Sequence, residues 1–452
     1  MVPSDKLPDE AIDFIKCADT VFIGSIYKSE AVHTARHPSH AGMNSRGGLP
    51  GFVRVMPSDR RTIIVPDYSG NKMLMSLGNI VSSGLAALTF VSFLTGDVLY
   101  VTGAGSVLTG PPALKIMARQ ACVLKLETSG FVFVRDAFPV RQKSGTAAEP
   151  SPYSPKIKYL NDEPEALASA GVDHKAKVVS ILQLAEDIAV FKFQVIPSPD
   201  RKDLMIRPGQ AIILDFMDWL GPPAYQHMAD DHPQSINDDR VRTWTVSSSH
   251  ESELPLWFEM TMREMKGGAV TGALFDLVRH HPRRKLGELV QVNSNVVAGV
   301  IGVAGDFFIK PGSVKLLFVA GGIGLTPFLS MFDALGNRGG NAQGDIVLAL
   351  ATRDPDVFLQ LIEMSLAKVS SKIGIKIDLF TEQERVNIDC LKHLDNCIIH
   401  AHKGRIPLEY WPQNEKDRDV FICGPGGFGD AAVEGLKKAG VSFDRIFREG
   451  FY

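Results

Sequence analysis

The chain has little cysteine, no clear excess of charge of either sign and no long apolar run. Its five cysteines are Cys17, Cys122, Cys390, Cys397 and Cys423. They form no C-x-x-C pair and their number is odd. That sets aside a disulfide framework and a cysteine-rich structural zinc site, and it fits a reducing, cytoplasmic compartment. The formal net charge is −3, whereas nucleic-acid binding draws on a basic surplus. The most apolar stretch, Leu85 to Leu94, is interrupted by glycine and serine on its flanks and falls well short of the ~20 residues of a membrane helix. It reads instead as two buried strands joined by a turn at Thr95-Gly96-Asp97. The opening twenty residues mix charges and lack the apolar core of a signal peptide. His33, His37 and His40 are spaced like ligands, but Pro38 breaks the segment and no further ligand is evident. No metal site is expected there, only a solvated loop.

What is present is ordinary globular composition, 45% apolar and 22% charged, at a length for several domains. Residues 142–174, rich in Pro, Ala, Ser and charge, read as a linker with a short helix at Glu163–Ala170. Residues 1–141 open with a helix at Pro8–Ala18. They continue in short strand-like runs, among them Val21–Ser25, Gly51–Met56, Thr62–Pro66, Ala86–Phe93 and Val98–Leu108. This pattern predicts a small β-barrel. Residues 175–312 are dominated by strands, such as Ala211–Phe216, Val241–Ser247 and Leu256–Arg263, and predict an antiparallel barrel. Residues 313–452 alternate strands with helices at Pro327–Leu335, Pro355–Ser370 and Gly427–Ala439. That alternation predicts a doubly wound α/β domain with a parallel sheet. The basic run His280–Lys285 reads as a helix end stabilised by positive charge.

The strongest chemical signal is LLFVAGGIGLTPFLSM, Leu316–Met331. An apolar strand feeds Gly321-Gly322-Ile323-Gly324, where glycines let the backbone turn sharply and approach a phosphate closely. Thr326 is predicted as the helix N-cap and Pro327 as the first helical residue, so that free N–H groups face an anion. A second strand ends at Cys423, followed by Gly424-Pro425 and another glycine turn. Cys423 has two readings: a group beside the first glycine turn, or a small buried residue at a strand end. Upstream, Arg242 and Trp244 fall on one strand face, a guanidinium for phosphate and an indole for a flat ring. Gly267 and Gly268 precede a helix whose first turn carries Thr271, a second anion-binding N-terminus. The loop Thr352-Arg353-Asp354 follows a strand, where Arg353 meets a 2′-phosphate or Asp354 a ribose hydroxyl.

The order of these motifs resembles the ferredoxin reductase family of FAD- and NAD(P)-binding reductases, over about residues 175–452. The family's Arg-x-Tyr-Ser stands here as Arg242-Thr-Trp244-Thr245, and its Gly-x-x-Ser-x-x-Leu as Gly268-Ala-Val-Thr271-Gly-Ala-Leu274. The Gly-Gly-x-Gly-x-Thr-Pro run, Cys423-Gly424-Pro425 and Glu449-Gly-Phe451 follow in order. The resemblance implies that Arg242, Gly267, Gly268 and Thr271 bind the FAD pyrophosphate and that Trp244 lines the flavin and its ribityl chain. It implies that Thr245 lies near flavin N5, that Cys423 and Glu449 serve the hydride-transfer site, and that Phe451 or Tyr452 covers one flavin face. Gly321, Gly322, Gly324, Thr326, Pro327, Arg353, Gly424 and Pro425 are assigned to NAD(P)H. Trp244 in place of Tyr and Thr245 in place of Ser are departures. Residues 217–239 look inserted and have no assignment.

The runs His40–Val55 and Asp67–Ile80 resemble the pyridoxamine 5′-phosphate oxidase-like split barrels, which bind FMN and dimerise across the flavin site. Arg46, Lys72, and the Ser76-Leu-Gly78-Asn79 turn are the phosphate candidates there, and a homodimer is implied. The expectation is an NAD(P)H-dependent flavin oxidoreductase that passes hydride to FAD and then electrons to an acceptor, with FMN in the N-terminal barrel as one such acceptor. Two other readings stay open: a reductase whose N-terminal barrel is a flavin-free dimerisation module, and a redox-sensing binding protein with little turnover.

Overall fold

The computed structural model describes residues 6–69, 74–146, 148, 151, 154–163, 174–199, 203–223, 231, 233–281, 285–309, 314–337, 343–367, 369–411 and 417–451. Lys72, Tyr452, the centre of the basic run (282–284) and all but the first residue of the predicted helix at Glu163–Ala170 lie outside them. The chain divides into two units, and the first is built from two separate pieces, residues 1–171 and 221–239. Among the described residues no helix is long and apolar enough to cross a membrane.

The first unit is a seven-stranded antiparallel sheet of β1 (Thr20–Tyr27), β2 (His40–Gly47), β3 (Arg54–Val55), β4 (Thr62–Pro66), β5 (Leu85–Val91), β6 (Val98–Thr109) and β7 (Cys122–Val134), in the order β2-β1-β5-β6-β7-β4-β3. Among the described residues no ladder joins β2 to β3. The predicted hairpin of β5 and β6 is present. Leu85–Val91 alternates burial at period two, and Gly96 turns the chain at φ +76°, as a half-buried sheet requires. Helix Asp9–Cys17 places Ala11 and Ile15 in the core beside Leu88, Leu99 and Val101. Helix Met75–Ser83 occupies the stretch read from sequence as a turn. Leu77 and Ile80 are buried on one side, and that burial outweighs the poor propensity of its glycine, serines and asparagine.

Part of the predicted linker belongs to this unit. Ile157 packs on its main core and Leu160 on a smaller one with Met117. Asn161 Nδ2 donates to the carbonyls of Leu114 and Lys115 at 3.2 and 2.9 Å. Arg54 Nε donates to both carboxylate oxygens of Glu163 at 3.1 and 3.0 Å, and both side chains are buried.

The second unit, residues 172–220 and 240–452, holds two sheets. The first contains β8 (His174–Ala185), β9 (Ile188–Pro197), β10 (Ala211–Asp215), β11 (Val241–Thr245), β12 (Trp257–Arg263) and β14 (Val297–Ala304), ordered β11-β10-β14-β8-β9-β12, with β13 (Leu289–Gln291) on β8. The Ser247 N–H donates to the Glu259 carbonyl at 2.8 Å. This bond joins the end of the first strand to the last and closes the sheet into the predicted antiparallel barrel. Its core stacks Phe193 on Phe258, cross-strand partners with ring centroids 5.3 Å apart, and helix Ala269–Arg279 contributes Leu274 and Phe275.

The second sheet is six-stranded and wholly parallel: β15 (Val314–Gly321), β16 (Gly344–Ala351), β17 (Ile373–Thr381), β18 (Cys397–Lys403), β19 (Asp419–Pro425) and β20 (Ile446–Phe451), ordered β18-β17-β16-β15-β19-β20. The near-continuous apolar runs of β15, β16 and β19 follow from burial on both faces. One face carries Phe318, Phe328, Phe358 and Leu379. The other carries Val319, Trp411, Ile422 and Leu436. Chain order reverses between β15 and β19, so a crevice opens beyond their carboxyl ends.

Arg54→Ala leaves Glu163 buried without its counter-charge and is expected to cost about 3 kcal/mol or more. Limited proteolysis checks this. Cleavage within residues 154–163 should become much faster in the variant, and an unchanged rate would show that the pair does not hold this segment.

Candidate functional site

The crevice between β15 and β19 is shaped by backbone contact. A Cβ at Gly324 would stand 2.2 Å from the Cys423 carbonyl oxygen, and one at Gly424 would stand 3.1 Å from Gly321 Cα and 2.7 Å from the Phe428 ring. Neither position has room for a side chain. Gly322 adopts φ +53°, a left-handed conformation that glycine tolerates at little cost. Thr326 is not the N-cap predicted for it. A 3-10 turn over Gly322–Leu325 precedes the α-helix Thr326–Asn337, Gly321 is the extended residue before that turn, and Thr326 is already helical at φ −53°, ψ −45°. The helical N-terminus therefore starts a turn earlier and lies closer to the glycines. Pro327, second in the α-helix, has its carbonyl bonded by Ser330 Oγ at 2.8 Å, and the same hydroxyl accepts the Gly209 N–H at 2.8 Å.

Cys423 faces Ala320 on one neighbouring strand and Glu449 on the other. Its side chain is fully buried in the apolar core. Burial, and then the Glu449 charge, push the thiol well above its ordinary range, so the sulfur holds its proton at neutral pH. Burial also raises the Glu449 carboxyl to about 7. Its Oε2 is buried with no hydrogen-bond partner among the described residues. Phe451 continues β20 opposite Pro425.

On the barrel, Trp244 lies edge-on to Phe216 with centroids 5.8 Å apart, and Thr245 is buried. Strand alternation sets Arg242 and Trp244 on one face and Thr245 on the other. Arg242 Nη1 donates to the Val241 carbonyl at 2.9 Å. Gly267 adopts φ +74°. A Cβ at Gly268 would meet Thr271 Oγ1 at 2.5 Å, and that hydroxyl accepts the Met265 N–H at 3.2 Å. Thr271 thus shapes the loop at the start of helix Ala269–Arg279. Beyond Thr245, the Ser249 N–H and hydroxyl both donate to Asp333 Oδ2 at 3.1 Å. With the Gly209–Ser330 bond, this ties the barrel to the helix after the glycine turn. Arg353 is exposed, and its carbonyl accepts Gln383 Nε2 at 2.8 Å. Asp354 pairs with Arg263.

In the first unit, Arg46 Nε donates to Asp67 Oδ1 at 3.1 Å, both side chains buried. Asn44 Nδ2 donates to Ser76 Oγ at 2.5 Å, and Asn79 Nδ2 to Ser25 Oγ at 3.2 Å. Asp67, Asn44 and Ser25 are the partners that sequence reading missed. Arg46 and Asp67 are 21 positions apart, and no local spacing links them.

No protein-family model matches the chain. A glycine betaine monooxygenase reductase subunit of Pseudomonas aeruginosa is 26% identical over 288 residues, covering 62% of this chain and 64% of the relative. The toluate 1,2-dioxygenase electron transfer component of Pseudomonas putida is 22% identical over 281 residues, 62% of this chain and 67% of the relative. The chain has homology to ferredoxin reductase-type oxidoreductases. It spans less than two thirds of the length of the glycine betaine monooxygenase reductase subunits. Among solved structures, the FAD/NAD-binding domain of nitric oxide dioxygenase from Vibrio cholerae is 18% identical with a TM-score of 0.40, covering 62% of this chain and 98% of that one.

The Glu449 carboxyl has an ordinary value of 4.5 and a folded value of about 7. Between the two, the folded chain keeps a proton that the unfolded chain has released, so stability falls as pH rises through this window and the loss is complete above it. Glu449→Gln should therefore gain on the parent protein between pH 4.5 and 8, on the order of 1–3 kcal/mol once partial exposure is allowed for. Thermal midpoints of both proteins at pH 5 and pH 8 test this; an equal difference at both values would refute it.

Proposed function

We propose that the chain is an NAD(P)H-dependent FAD reductase that feeds electrons to a separate oxygenase component. The observation that carries this reading is the side-chain-free contact of Gly321 and Gly324 with Cys423-Gly424 at the chain-order reversal of the parallel sheet, where a dinucleotide pyrophosphate can approach the backbone. The names of the two bacterial relatives support an oxygenase as the acceptor.

In this reading Arg242 and the first N–H groups of helix Ala269–Arg279 hold the FAD pyrophosphate, aided by Gly267, Gly268 and Thr271, which let the loop come close. Trp244 offers a flat wall to the ring system and Thr245 a hydroxyl. Gly321, Gly322, Gly324, Thr326, Pro327, Gly424 and Pro425 form the nicotinamide nucleotide's pyrophosphate cradle, and Arg353 meets its adenosine ribose or 2′-phosphate. FAD, when bound, accepts a hydride and can release electrons singly. Cys423 contributes a neutral thiol that packs without adding charge. Glu449 Oε2 takes or gives a proton near neutral pH, since burial sets its carboxyl at about 7.

For the first unit we favour a split barrel without FMN. Arg46 is neutralised by Asp67, and Ser76 and Asn79 are engaged by Asn44 and Ser25, so these phosphate candidates are committed within the protein.

Flavin released from the purified chain should amount to one FAD and no FMN per chain. Arg242→Ala should lower FAD occupancy severalfold, with β-sheet content unchanged by circular dichroism. Full FAD retention in that variant would remove Arg242 from the site, and no flavin in the parent protein after reconstitution would overturn the reading.

A further inference from the structure

As the chain leaves β11 it carries Ser247-Ser248-Ser249, and all three hydroxyls are engaged within the second unit. Ser247 Oγ donates to the Glu259 carbonyl at 3.1 Å and accepts the Thr261 hydroxyl at 3.0 Å. Ser248 Oγ accepts the Glu259 N–H at 2.9 Å and lies 2.9 Å from His250 Nε2. These bonds run to β12 and within the loop. Ser249 reaches the helix Thr326–Asn337: its N–H and hydroxyl both donate to Asp333 Oδ2, each at 3.1 Å. A second tie starts on the same face of that helix, three residues earlier, where Ser330 Oγ accepts the Gly209 N–H at 2.8 Å. Gly209 stands at φ +98°, and a Cβ there would meet the Phe307 carbonyl oxygen at 2.2 Å and Met331 Cε at 2.5 Å. The carbonyl of the next residue, Gln210, accepts the Val246 N–H at 3.1 Å. The two ties thus converge on residues 246–249, directly after Thr245, which pairs with Ala211 at the end of β11.

Both ties come from the helix that follows the glycine turn. In the proposed function that turn cradles the nicotinamide nucleotide, and β11 serves the flavin. Hydride transfer moves two electrons and one proton together, oxidising the nucleotide and reducing the flavin. It requires the reacting atoms about 3–3.5 Å apart and aligned. The groups around each cofactor set its affinity, whereas whatever joins the two frames sets their separation. We infer that Asp333 is a positioning residue for hydride transfer: through Ser249 it holds the exit of β11 against the nucleotide-binding helix and so sets the spacing of the two cofactors. A carboxylate suits this task, because one oxygen takes both donors of Ser249 and its charge strengthens each bond. The inference rests on the reading of the glycine turn and β11 as the two cofactor sites. Its signature is a split, in which the rate of transfer depends on Asp333 and the two affinities do not.

The test uses the full chain, with NADH or NADPH, whichever the parent protein oxidises faster. Hydrogen exchange in peptides covering 246–250 is read without flavin, and FAD affinity is read by flavin fluorescence. Stopped-flow absorbance of the FAD-loaded chain gives the limiting rate of flavin reduction and the nucleotide dissociation constant. Asp333→Ala should speed exchange about tenfold. It should lower the limiting rate about tenfold, with both affinities within about twofold of the parent's. Asp333→Asn, which keeps a neutral acceptor, and Ser249→Ala, which removes one of the two donors, should each lose about threefold in rate. Ser249→Ala added to Asp333→Ala should lower the rate no further, since both act through one contact. The control is Ser294→Ala, which removes a buried bond inside the barrel, from Ser294 Oγ to the Val178 carbonyl at 2.8 Å; its limiting rate should match the parent's. Three results would each overturn the inference and leave the proposed function standing: an unchanged exchange or limiting rate in Asp333→Ala and Asp333→Asn, a loss of affinity that accounts for the lost rate, or equal slowing in Ser294→Ala. A parent chain that takes up no FAD would overturn both.

Discussion

The close approach of two backbones at the carboxyl ends of β15 and β19 is the constraint on which the second unit depends. Gly324 lies against the Cys423 carbonyl at a distance that no Cβ could share, and Gly321 approaches Gly424 closely enough to crowd one. Because the strands pair in register up to Ala320 and Cys423, the turn after β15 must rise directly over the end of β19. A 3-10 turn begins there at Gly322, and the first N–H groups of a helical turn have no partner within it. The two apolar layers on either face of the sheet fix the strands rigidly enough for so narrow a fit to persist. A cradle made of backbone has no side-chain entropy to lose when an anion arrives, which is the advantage of building it from glycine.

The barrel is subordinated to that crevice by polar clamps. Ser330 bonds Gly209 and Asp333 bonds Ser249, so the entry to β10 and the exit from β11 are held by the same helix. The strand with Arg242 and Trp244 is thereby fastened downstream by Asp333.

The parallel sheet was legible because glycine spacing and unbroken apolar strands report steric demands local to a few residues. The same holds for the β5–β6 hairpin. Thr326 was misread as a cap because a 3-10 turn and an N-cap leave similar sequences before a proline, and only the backbone distinguishes them. β2 was not among the strand-like runs because HAGMNSRG has little β-propensity; its eight residues are held by pairing with β1, a tertiary effect. The helix Met75–Ser83 was hidden by Gly78 and its serines for a similar reason. The excursion at 221–239 could not be placed, since the partner of Asn237 is 168 positions away. Likewise nothing near Arg46 in sequence announced Asp67. Charges look available in a sequence until their counter-ions are known.

Glu449 and Cys423 carry this point to the chemistry. Both sit on adjacent strands near the carboxyl edge of the parallel sheet, and burial shifts both toward their neutral forms. In so apolar a setting an electrostatic contact is stronger than it would be in solvent. The thiol stays neutral across the physiological range. The carboxyl, poised near 7, is the one titrating group of the pair in that range. Of the two, Glu449 is the group whose charge changes near neutrality, and β20 delivers it beside the end of β19.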